Sequence, residues 1–381
     1  MSTPSDSPRR QQVLVLDPGL KDLRSHHHVI NRNLAGRAAD AGMGLEVLAN
    51  HRAVAANFPY SVKSVFRRGI YEDSPALGDA PFAALVADHA RDVSRCLTAS
   101  GPAAVVVHSA TAAFLQGLGA ALAGADHRVN AVVVQLMFHP LGLATGAVDP
   151  GPSTTRYAEA FRRLRAAEHR LGRPLHLSTS CHEFRRVFEG LGAGAVDVHP
   201  YALLAEAERM AWTGVRQAVQ TASRSNRRQA FLFGGDLKLD KGLAWVAAAL
   251  PALLAEHHDV DFLMHLGDNR FADPRLDLLR RHVVEMAARW PHLRLVEGHI
   301  APRDWDRMLE SADFLLIPYD PNAYRWKTSG IFWEALFKCR PGAVIAVTKG
   351  TWMEREAVAA ALDVSTVEFG NTAELGAVLR R

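Results

Sequence analysis

The segment FLLIPYDPNAYRWKTSGIFWEALFKCRPGAVIAV, residues 314–347, spells out a complete strand–loop–helix–turn–strand unit. Phe314–Ile317 is a short, unbroken apolar run stopped by Pro318, as expected of a strand buried on both faces of a parallel sheet. A polar loop follows, and Thr328-Ser329-Gly330 opens a helix expected over Ser329–Lys338, with Ser329 as its N-cap. Lys338-Cys339-Arg340-Pro341 turns the chain into a second strand, expected over Ala343–Val347. Strand, crossover helix and parallel strand make a βαβ unit.

The same alternation runs outward in both directions. Upstream strands are expected at Gln229–Phe233, Asp261–Leu266 and Leu293–Val296, with helices at Gly242–Glu256, Pro274–Arg289 and Arg303–Ser311. A further helix is expected at Met353–Leu362. An earlier series has strands at Gln12–Asp17, Leu45–Ala49, Ala103–His108, Ala131–Phe138, Leu175–Thr179 and Val196–Val198. Its helices are expected at Ile30–Ala41, Pro81–Leu97, Thr111–Ala123 and Arg156–Leu171. A chain of 381 residues is long for one core, and the restart of the pattern divides it. The expected organisation is a loose tail over 1–10, a first Rossmann-like domain over 11–202, and a linker helix and linker over 203–228. A second Rossmann-like domain over 229–381 follows, its last helix packing back on the first domain. The fold class is α/β, with two Rossmann-like, doubly wound parallel sheets facing a cleft at their carboxyl strand ends. No 20–50-residue period repeats, which excludes solenoids and propellers. Fold alone leaves dehydrogenases, kinases and glycosyltransferases open.

Composition narrows the class. Apolar residues are 48%, charged residues 22% and mean hydropathy −0.05, the balance of a globular enzyme. No stretch reaches the ~18 uncharged apolar residues of a spanning helix, and the richest, Ala244–Ala255, is interrupted by Pro251. With no charged-then-apolar leader pattern, a cytoplasmic chain is expected. Cys96, Cys181 and Cys339 are too scattered for a disulfide framework or a zinc site and read as buried thiols. A net charge of +4 is too diffuse for nucleic-acid binding. Lysine occurs only seven times, and Lys238, Lys241 and Lys327 fall inside the two segments that carry chemistry, which hints that a compact ammonium matters there.

The first such segment is FLFGGDLKLDKG, residues 231–242. A strand running into Gly234-Gly235 brings backbone amides towards an anion, and the helix that opens near Lys241 adds a favourable dipole. The spacing is neither a Walker A loop nor a GxGxxG fingerprint. In the second segment, the free amides at Ser329–Gly330 would meet a phosphate. Glu334 lies on the same helix face as Gly330, ~6 Å along the axis, placed for the hydroxyls of a ribose.

These two segments resemble the GT-B glycosyltransferases, most closely glycosyltransferase family 4. Gly235-Asp236-Leu237-x3-Lys241-Gly242 is similar to the family's Gly-Arg-Leu-x3-Lys-Gly, and Glu334-Ala335 to the second half of its Glu-x7-Glu signature. The resemblance covers residues 228–360. More faintly, His108, His139, Gly19 and the run His26-His27-His28 are similar to the family's substrate-side positions in the first domain. The chain departs from the pattern at Asp236, where the family has an arginine, and at Trp326, where it has a glutamate. Lys238, Arg325 or Lys327 would replace the missing positive charge, and Tyr324 the missing sugar contact.

The resemblance implies sugar transfer from a nucleoside-diphosphate donor, UDP- or GDP-linked, to a hydroxyl acceptor. Retention of configuration, no cofactor and no metal are implied with it. Gly234, Gly235, Lys238, Lys241, Lys327, Ser329 and Gly330 would hold the diphosphate, Glu334 the ribose, and His139 with Lys241 would act in catalysis. Gly19, His27, His108, Tyr324 and Arg325 are further contact candidates. Adjacent histidines on a helix diverge, so His26–His28 is expected to hold no metal. Arg156, Arg162, Arg163, Arg165 and Arg170 enrich one helix, either as a solvated face or as a contact to an anionic membrane surface bearing a lipid-linked acceptor. The alternatives are an inverting transferase with Asp17, Asp22 or His27 as base, a nucleotide-sugar epimerase, or a catalytically weak binding protein.

Overall fold

A computed structural model describes residues 11–23, 26–74, 76–100, 103–125, 129–140, 151–198, 227–269 and 272–381. The expected tail over 1–10 lies outside them, as does nearly all of the expected linker over 203–228. The chain divides into two compact units between residues 205 and 206.

The first unit contains β1 (Gln12–Asp17), α1 (His26–Asp40), β2 (Gly44–Asn50), β3 (Val62–Phe66), α2 (Asp79–Ala99), β4 (Ala103–Val107) and α3 (Ala112–Ala123). It continues with β5 (Val129–Leu136), α4 (Gly151–Leu171), β6 (Leu175–Thr179), α5 (His182–Gly190) and β7 (Asp197–Val198). Its seven strands are ordered β3-β2-β1-β4-β5-β6-β7, and all neighbours pair in parallel. The chain steps outward from β1 to β3 and then returns to lay β4 on the other side of β1. That reversal opens a crevice beyond the carboxyl ends of β1 and β4.

The second unit contains β8 (Arg228–Phe233), α6 (Leu243–Glu256), β9 (Val260–Leu266), α7 (Pro274–Arg289), β10 (Leu293–Glu297) and α8 (Pro302–Ser311). After these come β11 (Phe314–Ile317), α9 (Gly330–Lys338), β12 (Val344–Thr348), α10 (Trp352–Ala359), β13 (Ser365–Val367) and α11 (Thr372–Leu379). The order is β10-β9-β8-β11-β12-β13, again parallel, with Ala230 opposite Phe314 and Phe231 opposite Leu315. Here the reversal falls between β8 and β11. All four residues of β11 are buried, as their unbroken apolar run requires.

Local signals set the helix ends. Asp273 caps α7 by accepting from the Arg275 amide, with Pro274 in the first turn. Asn371 caps α11 by accepting from the Glu374 amide. Pro251 does not break its segment: α6 runs through it, held by a core that includes Val246, Leu250, Leu253 and Leu254. The last helix joins that same core through Leu375, Val378 and Leu379, inside its own unit. All three cysteines are free and buried.

Candidate functional site

The site in the second unit is built where β8 and β11 end. β8 leads into Gly234-Gly235, and Gly235 takes φ +98°, a left-handed conformation open to glycine. Its amide does not face an empty anion position: it donates to His265 Nδ1 at 3.1 Å. The other ring nitrogen, Nε2, lies 2.9 Å from the Gly298 carbonyl, so it carries the proton and the ring is neutral. Burial holds the His265 pKa below its ordinary value, the Gly298 bond opposes this, and the Lys241 charge adds to the lowering. The Gly235 carbonyl accepts from the Gly267 amide, and the Leu237 amide donates to the Asp268 carbonyl. One neutral histidine at the end of β9 thus ties together the loops that follow β8 and β10.

The two glycines therefore supply space. A Cβ on Gly235 would stand 2.7 Å from Lys241 Nζ, which lies 5.9 Å from the centre of the Tyr319 ring. A Cβ on Gly234 would meet the rings of Phe231 and Trp305 at 2.6 and 2.8 Å. The Gly235 amide is thus taken by His265, and Gly234 makes room for an indole. A single 3-10 turn, Leu239–Lys241, then leads to Gly242, with φ +78°, at the start of α6. A Cβ on Gly242 would fall 1.8 Å from the Pro318 carbonyl oxygen, so only glycine lets this turn press against the end of β11.

Ser329 occupies the N-cap position of α9 with extended backbone, but its side chain makes no capping bond. Its hydroxyl instead lies 3.4 Å from the Tyr319 hydroxyl, so the expected side-chain cap is not formed. The first-turn amides of α9 begin at exposed Gly330, and Ile331 reaches to within 3.4 Å of the same Gly235 Cβ position that Lys241 Nζ approaches. Lys241 and the start of α9 therefore converge beside Gly235. Glu334 is partly buried, accepts from Trp305 Nε1 at 2.8 Å, and lies 3.8 Å from Lys338 Nζ.

The 319–327 loop is held from within. Tyr324 is buried with its ring 4.1 Å from that of Tyr319, so it anchors the loop. Lys327 pairs with Asp240 at 3.1 Å, which brings it next to Lys241 but already partnered. Arg325 lies over the Trp326 ring at 5.3 Å, with Arg355 5.2 Å from the same ring. Lys238 is half-buried at the start of the 3-10 turn, and the Asp236 carboxylate acts on His265, opposing the effect of Lys241.

In the first unit, the crevice between β1 and β4 holds a buried polar cluster. Asp17, at the end of β1, accepts from the Gly19 and Leu20 amides at 3.0 and 3.2 Å and from Asn31 Nδ2 at 2.7 Å. His27 Nδ1 lies 2.7 Å from one carboxylate oxygen and His108 Nε2 3.2 Å from the other. His27 Nε2 reaches the Tyr71 hydroxyl at 2.9 Å, and His108 Nε2 lies 3.1 Å from Asn31 Oδ1. Burial opposes the charge on Asp17, yet the two histidines outweigh it and hold the carboxyl well below its ordinary range. His108 is therefore satisfied by side chains. The argument from diverging neighbours overlooks partners from other elements, which converge on His27, and the His26 ring itself lies 4.2 Å from the His27 ring. Ligand atoms of Asp17, His27 and His108 lie within 4.8 Å of one another. Gly19 is pressed on the His27 ring, where a Cβ would be 2.1 Å from Cε1. His139 is also buried, its ring 5.1 Å from that of Phe184.

The arginine-rich helix α4 is not an open basic face. Arg156 is buried, lies 4.2 Å from the Phe82 ring centre and pairs with Asp79. Arg162 and Arg163 both pair with Glu159, and Arg165 with Glu168. Among the described residues, no helix is long and apolar enough to cross a membrane. Sequence reasoning missed His265 and Trp305, both hidden in elements that read as ordinary sheet and helix.

No family model matches the sequence, and no curated protein matches it. Solved structures do. A trehalose-6-phosphate protein from E. coli bound with UDP-2-fluoro glucose aligns over 97% of this chain and 91% of its own, at 12% identity and TM-score 0.61. A UDP-forming α,α-trehalose-phosphate synthase from Burkholderia xenovorans aligns over 98% and 90%, at 10% identity and TM-score 0.61. An α,α-trehalose 6-phosphate synthase from Burkholderia multivorans aligns over 98% and 88%, at 13% identity and TM-score 0.61. At such identities the likeness establishes the fold: two parallel-sheet α/β domains of the GT-B type, shared with trehalose-phosphate synthases and not specific to family 4.

Proposed function

We propose that the chain is a glycosyltransferase that moves a sugar from a nucleoside-diphosphate donor to a hydroxyl acceptor. The observation that carries this reading is the convergence, beside Gly235, of the Lys241 ammonium and the start of α9, with Glu334 one turn further along. When the glycosidic bond breaks, negative charge grows on the diphosphate, and an ammonium with preorganised helix amides stabilises it without reorganising. Glu334 then accepts from the ribose hydroxyls. In this reading Lys241 and the Ser329–Gly330 amides hold the diphosphate. Lys327 serves through Asp240, and Gly234 and Gly235 shape the floor.

A UDP-sugar is the favoured donor, because a neighbour of this fold was solved with UDP-2-fluoro glucose and another is described as UDP-forming. A sugar phosphate is the favoured acceptor for the same reason, and the pairing of the α4 arginines within the protein gives a lipid-linked acceptor no added support. Retention fits a neighbour whose glycosyl transfer is described as retaining, and transfer through the diphosphate calls for no metal or cofactor. His139 remains a candidate for contact with the donor sugar. A second reading, an inverting transferase, is favoured by one observation. Asp17 lies against His27 Nδ1 while His27 Nε2 points to the Tyr71 hydroxyl, the arrangement of an oriented general base.

The test is a panel of UDP- and GDP-sugars offered with free sugars and sugar phosphates, read as acceptor-dependent release of the nucleoside diphosphate. Release from a UDP-sugar supports the reading, and the anomeric configuration of the product by NMR separates retention from inversion. No release from any donor, at enzyme concentrations that would detect one turnover per hour, overturns it.

A further inference from the structure

We propose that Trp305 is a positioning residue for nucleotide recognition, one that fixes the Glu334 carboxylate for the ribose and so sets the preference for a ribonucleotide. The inference rests on the donor reading above and extends it to a residue on a different helix.

Glu334 sits on a nine-residue helix and has three side-chain torsions to restrain. The restraint comes from one dipeptide of α8. Trp305 Nε1–H donates to Glu334 Oε2 at 2.8 Å. Asp306, the next residue, accepts from Lys338 Nζ at 2.6 Å, and that same ammonium lies 3.8 Å from Glu334 Oε1. Both carboxylate oxygens are thus addressed from α8, one directly and one through a lysine.

The indole itself has little freedom. It stands edge-on to Phe231 and to His265, with ring centres 5.7 Å away in each case, and its Cη2 lies 2.8 Å from the position a Cβ would take on Gly234. It therefore links the glycine turn after β8 to the carboxylate on α9. The indole bond fixes the plane in which a diol donating to this carboxylate must lie. Preorganisation of this kind raises affinity for the ligand that uses the carboxylate and does nothing for one that does not.

The experiment compares UDP with 2′-deoxy-UDP by calorimetry on the full chain. Wild type is expected to prefer UDP by about tenfold or more, the value of a charge-assisted hydrogen bond. Trp305→Phe keeps an aromatic ring against Phe231 and His265 and removes the N–H. It should bring the two affinities to within about threefold, chiefly by weakening UDP, with 2′-deoxy-UDP little changed. If Trp305→Phe does not fold, benzothienylalanine introduced at position 305 keeps the indole shape without the donor and should give the same loss. A purely structural role for Trp305 would weaken both ligands alike and leave their ratio intact, which overturns the proposal. Equal binding of the two nucleotides by wild type overturns it as well. Failure of wild type to bind UDP or any other nucleoside diphosphate overturns the donor reading itself, and this proposal with it.

Discussion

Replacing His265 with leucine removes one buried ring that serves two loops. The Gly235 amide loses its acceptor and the Gly298 carbonyl its donor, while leucine keeps most of the volume. A buried group left unsatisfied costs about 1–3 kcal/mol. Both glycines are only half-buried, so water recovers part of the loss, and the combined destabilisation of the second unit should be about 2–4 kcal/mol. For a unit of this size that corresponds to a fall in Tm of roughly 4–16 °C. Urea unfolding at fixed pH, followed by tryptophan fluorescence, reads it directly. The pH dependence has a definite sign. The folded pKa of His265 lies below the ordinary 6.5, so the unfolded chain binds more protons in the window just beneath that value. Its contribution is complete above about pH 6.5 and is lost as pH falls towards the folded pKa; the leucine variant should lack this slope. A variant within about 0.5 kcal/mol of wild type, with the same pH slope, would refute the account of how the loops are held.

Asp17→Asn should destabilise the first unit by about 3–5 kcal/mol, because it leaves two buried histidines without their carboxylate. Since the folded pKa of Asp17 is depressed, the wild-type contribution is present above the ordinary carboxyl value and disappears as pH falls below it, which acid titration of the two proteins would show. Gly242→Ala forces a side chain into a left-handed turn and to within 1.8 Å of the Pro318 oxygen, so a loss of at least about 3 kcal/mol is expected in chemical denaturation. Lys241→Ala should weaken UDP binding about tenfold or more by calorimetry, and a change within about twofold would remove Lys241 from the diphosphate site.

Most of the central sheet was legible because strands buried on both faces must be apolar throughout. Phe314–Ile317 and the Val13–Leu16 run of Gln12–Asp17 carry that constraint in their composition, and the observed limits of both strands coincide with those expected. The strands not foreseen, Val62–Phe66 and Ser365–Val367, lie at sheet edges, where one side has no strand partner and polar residues are tolerated. The helix His182–Gly190 escaped for a similar reason, since half of its surface is solvated and charged. In the site, the spacing of Gly235, Lys241, Gly330 and Glu334 was readable because turns and helix faces are local properties. What each glycine makes room for was not. That depends on the rings of Trp305 and Phe231 and on His265, residues brought together by strand order rather than by sequence distance. The Asp17–His27–His108 cluster shows the same limit: its members come from three elements, and no local spacing announces them.

The most direct test of the central claim is the structure of the chain crystallised with UDP. The account predicts the diphosphate against Lys241 Nζ and the Ser329–Gly330 amides, with the ribose hydroxyls on Glu334 and the Trp305–Glu334 bond retained. Nucleotide bound away from the ends of β8 and β11, or a diphosphate there that touches neither Lys241 nor the start of α9, would contradict it.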